Sequence, residues 1–344
     1  MLRDLPKVLL HDHLDGGLRP ETVLDLASAQ SYEGLPAVTP PELAEWFLQS
    51  RAGSLETYLE AFVHTTAVMQ TESALRRVAY EAVLDYAASG VVYAEPRFAP
   101  SLHSSRGLTG QQIVLAVLDG LMQGSAETGV EVRLVLAAMR DRPNSLQTAE
   151  LAVEFRDDGV VGFDLTGPER GYPASDHRAA CQTAARGSLG LTIHAGEGDG
   201  IESIAGALDS GANRLGHGVR VVEDCVVAEN SIGICGPTAS LVRAEQIALE
   251  ICLLSEIHTG TVPTGDDHPV GLLHRSGFVV TINTDNRLMS GTDMVTEFEL
   301  LASHQGFSRA DFLTVTEHAV AAAFCDDDTK KRLLSERIWP GYEL

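Results

Sequence analysis

Short apolar runs rich in β-branched residues recur along the chain at 8–13, 91–98, 130–137, 160–165, 191–194, 214–219, 248–254 and 279–285. Their length and spacing predict strands, and most of the intervals between them can hold a helix and a turn, which parallel pairing requires. Helical periodicity marks several intervals. Ile113, Val117, Leu118 and Leu121 fall on one helical face, and Leu75, Val78, Ala79 and Ala82 on another. Eight strand-and-helix units predict an α/β fold of the (β/α)8 TIM barrel type, which carries its functional residues at the C-terminal ends of the strands.

The first interval is too long for one crossover helix. It contains Pro36, Pro40 and Pro41, followed by an amphipathic stretch with Tyr58, Leu59 and Phe62 at helical spacing. Such a stripe serves either as core packing or as an apolar wall folded over the barrel mouth. No internal repeat or linker is apparent beyond the strand and helix alternation, so the expectation is one domain over 1–344, with residues 16–89 including a helical lid insertion.

Polar residues at the ends of the predicted strands change this picture from a fold to a site. His11 and His13 flank one residue at the end of the first strand, so their side chains share a face and can grip one metal ion. His194 in a His-Ala-Gly-Glu run, His217 in Gly-His-Gly and Asp285 in Asn-Thr-Asp occupy equivalent places on later strands. Taken singly, each has a plainer reading: a hydrogen-bonded core histidine, or for Glu197 and Asp285 a helix cap. Their coincidence at strand ends favours one shared site. Imidazoles with a carboxylate suit zinc, which lowers the pKa of a bound water towards about 7. Hydrolysis then needs a water-orienting base and an acid, and Glu197, three residues beyond His194, can reach the same pocket. His64, His103, His177, His258, His268, His274, His304 and His318 lack this context and read as surface or packing residues.

Composition narrows the partners. The formal net charge of −23 over 344 residues disfavours nucleic acid and anionic membrane surfaces as partners, because both are bound by neutralising phosphates. No apolar stretch is long enough to span a bilayer, and residues 1–7 leave no room for a cleavable leader before the first strand. Five cysteines, Cys181, Cys225, Cys235, Cys252 and Cys325, are scattered without a Cys-x-x-Cys pair, as expected of reduced thiols in a cytoplasmic protein. The sequence carries no signal of oligomeric state.

The runs His11-Asp-His-Leu-Asp-Gly16, His194-Ala-Gly-Glu197, Arg214-Leu-Gly-His-Gly218 and Asn283-Thr-Asp285 resemble the signatures of the adenosine deaminase family within the amidohydrolase superfamily. Supporting runs are similar to the family as well: Val91-Val-Tyr-Ala-Glu95 with Arg97, Gly162-Phe-Asp-Leu-Thr-Gly167, and Asn286-Arg-Leu-Met-Ser290. The resemblance covers nearly the whole chain. It implies one zinc ion per chain held by His11, His13, His194 and Asp285, and hydrolytic release of ammonia from C6 of adenosine or 2′-deoxyadenosine. In that reading Glu197, His217 and Asp285 are catalytic, with Glu197 protonating N1. His13, Asp15, Gly167, Asn286, Tyr58, Leu59 and Phe62 contact the nucleoside. Gly167 would meet N3, Asn286 would meet N7, and Asp15 would accept from the ribose 5′-hydroxyl.

Two departures from the family pattern stand out. Asn286 replaces a second Asp, and Cys252-Leu-Leu-Ser-Glu256 replaces the usual Cys-Pro-x-Ser-Asn. The second departure keeps two alternatives open: a deaminase of a modified adenine nucleoside, such as aminodeoxyfutalosine or a nucleoside antibiotic, and a barrel that binds nucleosides without turnover. The cytidine-deaminase type of zinc centre is a poor match, because its His-x-Glu and Pro-Cys-x-x-Cys signature is absent.

Overall fold

A computed structural model of the chain describes residues 2–228 and 231–343. The barrel strands are β1 (Lys7–Leu9), β2 (Val91–Ala94), β3 (Arg97–Phe98), β4 (Glu131–Val132), β5 (Leu134–Met139), β6 (Val160–Thr166), β7 (Gly190–Ala195) and β8 (Arg214–His217). After an antiparallel hairpin of β9 (Cys225–Ala228) and β10 (Ser231–Cys235), β11 (Ala248–Ile251) and β12 (Val280–Ile282) complete the set. β1, β2 and β4 form one parallel group, and a second runs in the order β12-β11-β8-β7-β6-β5-β3.

The predicted second strand is split into β2 and β3 around Glu95 and Pro96, and the third into β4 and β5 around Arg133. Proline has no N–H to give the ladder. Because each half of a split strand lies in a different group, the splits join the two groups. Residues 10–13 close the ring on the other side. Asp12 bridges Asp285 and His13 bridges Arg97, both in parallel sense, and His13 N–H donates to the Asp285 carbonyl at 2.9 Å. The expected (β/α)8 barrel is therefore the observed architecture.

The helical faces read from the sequence also form. Leu75, Val78, Ala79 and Ala82 are buried on α5 (Glu72–Ala88), and Ile113, Val117, Leu118 and Leu121 on α6 (Gly110–Thr128). Before them, the first interval folds as α1 (Pro20–Ala29), α2 (Pro40–Phe47), α3 (Leu55–Leu59) and α4 (Phe62–Val68). Tyr58, Leu59 and Phe62 are thus divided between two short helices rather than set along one. The seventh strand is shorter than expected, ending at Ile251, and Leu253–His258 is helical. The hairpin was not foreseen: its apolar residues Val226 and Ile234 face solvent on the outside of the barrel, so no core demands them.

Inside the barrel, charge replaces part of the usual apolar packing. Arg97, Arg214, Glu95, Asp164 and Glu250 are all fully buried. Arg97 donates to Asp164 Oδ2 at 3.0 Å and to Glu250 Oε2 at 2.8 Å, while Arg214 pairs with Glu95 Oε2 and Glu250 Oε1, each at 2.6 Å. Buried charges of one sign are tolerable only against such partners. The network lies directly beneath the cluster of strand-end histidines.

Candidate metal centre and active site

His11 and His13 follow β1 on the segment that closes the barrel, and both point into its mouth. The residue between them points the other way. Asp12 accepts from Tyr86 Oη at 2.5 Å, Thr284 Oγ1 at 2.9 Å and Arg287 Nε at 2.8 Å, which anchors the segment from behind. His194 lies on β7, His217 ends β8, and Asp285 follows β12. His217 has φ 60° and Asp285 has φ 55°, left-handed values that a non-glycine residue adopts at a cost of about 1–3 kcal/mol. The turn lets the backbone leave the barrel while the side chain stays over its mouth.

The imidazoles are oriented from below by carboxylates. His11 Nδ1 lies 3.0 Å from Glu250 Oε2, His194 Nδ1 lies 3.1 Å from Asp164 Oδ1, and His217 Nδ1 lies 3.2 Å from Glu256 Oε1. An ionised carboxylate only accepts, so the Nδ1 atoms that face these carboxylates carry protons. At His217 burial is outweighed by the carboxylates of Glu197, Glu256 and Asp285, which raise its pKa to about 10. His11 Nε2 is 3.2 Å and His13 Nε2 is 3.4 Å from Asp285 Oδ1, and His13 Nε2 is 3.3 Å from His194 Nε2. One donor atom from each of His11, His194, His217 and Asp285 falls within 4.8 Å of the others. Neither ring nitrogen of buried His11 has a hydrogen-bond partner. A converging set of imidazole nitrogens and one carboxylate, with an unpartnered buried nitrogen among them, fits a divalent metal of the zinc type. Burial lowers the His194 pKa to about 4 against the pull of Asp164, which keeps that ring neutral.

Glu197 faces this cluster, with Oε2 3.5 Å from His217 Nε2. Burial is the largest cause raising its pKa to about 8; Asp285, Glu169 and Glu256 add to the rise and His217 opposes it. A buried carboxyl that keeps its proton near neutral pH is a ready acid. The loop bearing it is fixed by Glu169, whose carboxylate accepts from the N–H groups of Gly196 (2.7 Å), Glu197 (3.0 Å), Gly198 (2.7 Å) and Asp199 (3.1 Å).

A cavity of about 320 Å³ opens above the cluster, in the range of small-molecule sites. His13, His194, Glu197, His217 and Asp285 form its floor, and Leu55, Tyr58, Leu59, Phe62 and Val63 form an apolar wall. Asp15, Gly167 and Asn286 also line it. Asp15 Oδ1 and Asn286 Oδ1 are buried without hydrogen-bond partners. Gly16 makes room for Asn286, since a Cβ there would sit 2.0 Å from Asn286 Oδ1. Gly167, at φ 97°, leaves its backbone against the cavity. Every residue singled out in the sequence as catalytic, metal-binding or substrate-binding lies at this cavity or, for His11, directly beneath it.

Of the histidines read as surface or packing residues, His268 and His103 are buried against the site: His268 Nε2 lies 2.6 Å from Glu256 Oε2, and His103 Nε2 lies 3.7 Å from Asp15 Oδ2. Glu256 sits behind His217 rather than at the cavity wall. Asp164, Glu250 and Glu169 were not assigned roles from the sequence. A charged residue inside an apolar strand, as in Gly-Phe-Asp-Leu and Ala-Leu-Glu-Ile, was the available signal for the first two, because burial forces such a group to have a partner.

Comparison with known proteins agrees with this geometry. The family profile described as adenosine deaminase matches residues 6–338. An adenosine deaminase of Mycobacterium ulcerans is 50% identical over 350 residues, covering 100% of this chain and 97% of its own. Among solved structures, an adenine deaminase from Arthrobacter aurescens aligns with a TM-score of 0.85 and 29% identity, covering 96% of this chain and 98% of its own. An Arabidopsis N6-mAMP deaminase aligns with a TM-score of 0.83 and 28% identity over 97% of each chain.

Proposed function

Since the chain belongs to the adenosine deaminase family and is a hydrolase of that type, we propose that it deaminates adenosine and 2′-deoxyadenosine to the inosine nucleosides and ammonia, using one zinc ion per chain. The carrying observation is the buried Glu197 carboxyl, 3.5 Å from His217 Nε2, set on the same cavity floor as His13, His194 and Asp285. His11, His13, His194 and Asp285 would hold the metal. When bound, zinc supplies a water whose pKa is lowered towards about 7 and a charge that stabilises the developing oxyanion.

The protein's own groups do the rest. A purine in the cavity places N1 at Glu197, which delivers its proton there and localises the electrons that attack at C6 displaces. His217 Nε2 takes a proton from the attacking water, and Asp285 orients that water. As C–N cleavage follows, the proton taken up by His217 passes to the amino group, which leaves as ammonia, and the C6 hydroxyl gives its proton to Glu197 as the 6-oxo ring forms. The Asn286 amide can donate to N7 and the Gly167 N–H to N3. Asp15, with one oxygen unpartnered, accepts from the 5′-hydroxyl. The wall of Leu55, Tyr58, Leu59 and Phe62 acts as a lid that keeps bulk water from the ring. The reaction requires no membrane and no nucleic acid, and no described helix is long and apolar enough to cross a bilayer.

Substitution of Glu256 motivated a modified-nucleoside substrate, but its side chain does not line the cavity, which favours the unmodified nucleoside. Release of ammonia from adenosine, 2′-deoxyadenosine, adenine and 5′-modified adenosines, and of methylamine from N6-methyl-AMP, separates the readings. Adenosine and its 2′-deoxy form are expected to give the highest kcat/KM. A tenfold or greater preference for adenine, a nucleotide or a 5′-modified analogue would overturn the assignment.

A further inference from the structure

Glu256 is fully buried, and every hydrogen bond of its carboxylate comes from a donor. Its Oε1 accepts from Cys252 N–H at 3.0 Å and faces His217 Nδ1 at 3.2 Å; its Oε2 faces His268 Nε2 at 2.6 Å. The far end of this chain is locked as well. Val270 N–H donates to His268 Nδ1 at 3.1 Å, so Nδ1 of that ring is the acceptor and Nε2 carries the proton. Oε2 is therefore taken by a fixed donor, and Oε1 is left to accept from Cys252 and His217. His217 itself sits on strained backbone, with φ 60°, and nothing on its own strand defines which ring nitrogen is protonated.

We propose that Glu256, buttressed by His268, is a positioning residue: its Oε1 holds the Nδ1–H of His217 and so aims Nε2 of that ring at the reaction centre. The proposal rests on the role given to His217 above. It assigns a purpose to the residue by which this chain departs most from its family's pattern. The seventh strand ends early, Leu253–His258 turns helical, and a carboxylate long enough to span His217 and His268 stands on that helix. Neither His268 nor Glu256 touches the cavity, so substrate contacts are left unchanged.

The chemistry predicts which replacement fails and which restores. Glu256→Gln keeps the size but places an amide NH2 against a donor in either orientation: His268 Nε2–H on one side, His217 Nδ1–H and Cys252 N–H on the other. His268→Gln alone leaves the carboxylate with amide donors. Combined with Glu256→Gln, it gives the new amide an oxygen to donate to. The test measures kcat and KM for adenosine in the parent, Glu256→Gln, His268→Gln and the double variant. Imidazole N–H resonances of protein labelled with 15N-histidine are recorded alongside. Glu256→Gln is expected to lower kcat about 100-fold with KM within about threefold, the size of effect typical for a group orienting a site histidine. His268→Gln should remain within about fivefold of the parent, and the double variant should regain at least about tenfold over Glu256→Gln. The parent should show a hydrogen-bonded Nδ1–H on His217 that Glu256→Gln displaces. A Glu256→Gln enzyme within threefold of the parent, a double variant no better than the single, or a parent His217 unprotonated at Nδ1 would each overturn the proposal. If no aminopurine is turned over, the functional assignment fails, and the resonance alone decides the role of Glu256.

Discussion

Replacing Glu250 with Gln isolates the buried charge network from the chemistry above it. Its carboxylate lies 2.8 Å from Arg97 Nη2, 2.6 Å from Arg214 Nε, 3.1 Å from Thr192 Oγ1 and 3.0 Å from His11 Nδ1, all of them buried. The substitution keeps the volume and removes one negative charge from between two buried guanidinium groups. Breaking a buried ion pair from one side costs about 3–5 kcal/mol, because the remaining charge is uncompensated. The isosteric amide retains one acceptor oxygen, which places the expected loss near the lower end, about 3 kcal/mol. The matched control is Glu223→Gln, which breaks a partly exposed pair with Arg220 at 2.7 Å and should cost about 0–1 kcal/mol. Urea unfolding of both variants, followed by intrinsic fluorescence, reads the difference. His11 loses its orienting carboxylate in the first variant alone, so zinc affinity should fall about 10–100-fold there and stay unchanged in the control. A Glu250→Gln protein destabilised by less than about 1 kcal/mol would refute the claim that this network holds the barrel interior together.

Glu197→Gln removes the acid and should lower kcat by about 10²–10⁴-fold while zinc content and KM stay near the parent values, as read by ammonia release and metal analysis. Burial, helped by the nearby Glu256 charge, raises the Glu297 pKa from 4.5 to about 8 against hydrogen bonds from Thr292 and the backbone of Leu253 and Leu254. Its carboxyl is thus neutral in the fold and ionised in the unfolded chain between those values. The stability it contributes is complete below about pH 4.5 and is lost as pH rises towards 8. Urea midpoints at pH 5 and pH 8.5 should therefore fall less in Glu297→Gln than in the parent, and equal slopes would contradict the assignment. Asp15→Ala should raise KM for adenosine about tenfold, the loss of one charge-assisted hydrogen bond, and leave 5′-deoxyadenosine almost unaffected.

Much of the site was readable because its residues stand at the ends of apolar runs, where a polar side chain has few structural reasons to be. The parallel barrel follows from the same runs, and His11, His13, His194, His217, Glu197 and Asp285 meet where strand order places them. What escaped the sequence is the layer beneath. Asp164, Glu250 and Glu256 act through histidines that lie 30, 239 and 39 residues away in the chain, and nothing local marks which carboxylate serves which ring. His268 was indistinguishable from a surface histidine because its partner comes from another turn of the chain. Boundaries suffered where backbone chemistry intervened: the second strand broke at Pro96, and the seventh ended where Leu253 begins a helix in place of the family's proline.

Metal dependence of the deamination is tested most directly by a zinc titration of the metal-free protein. After chelation the protein should release no ammonia from adenosine, and stepwise zinc should restore turnover linearly until about one equivalent per chain, then level off. Turnover that survives chelation, or a fully zinc-loaded protein inert towards adenosine, would contradict it.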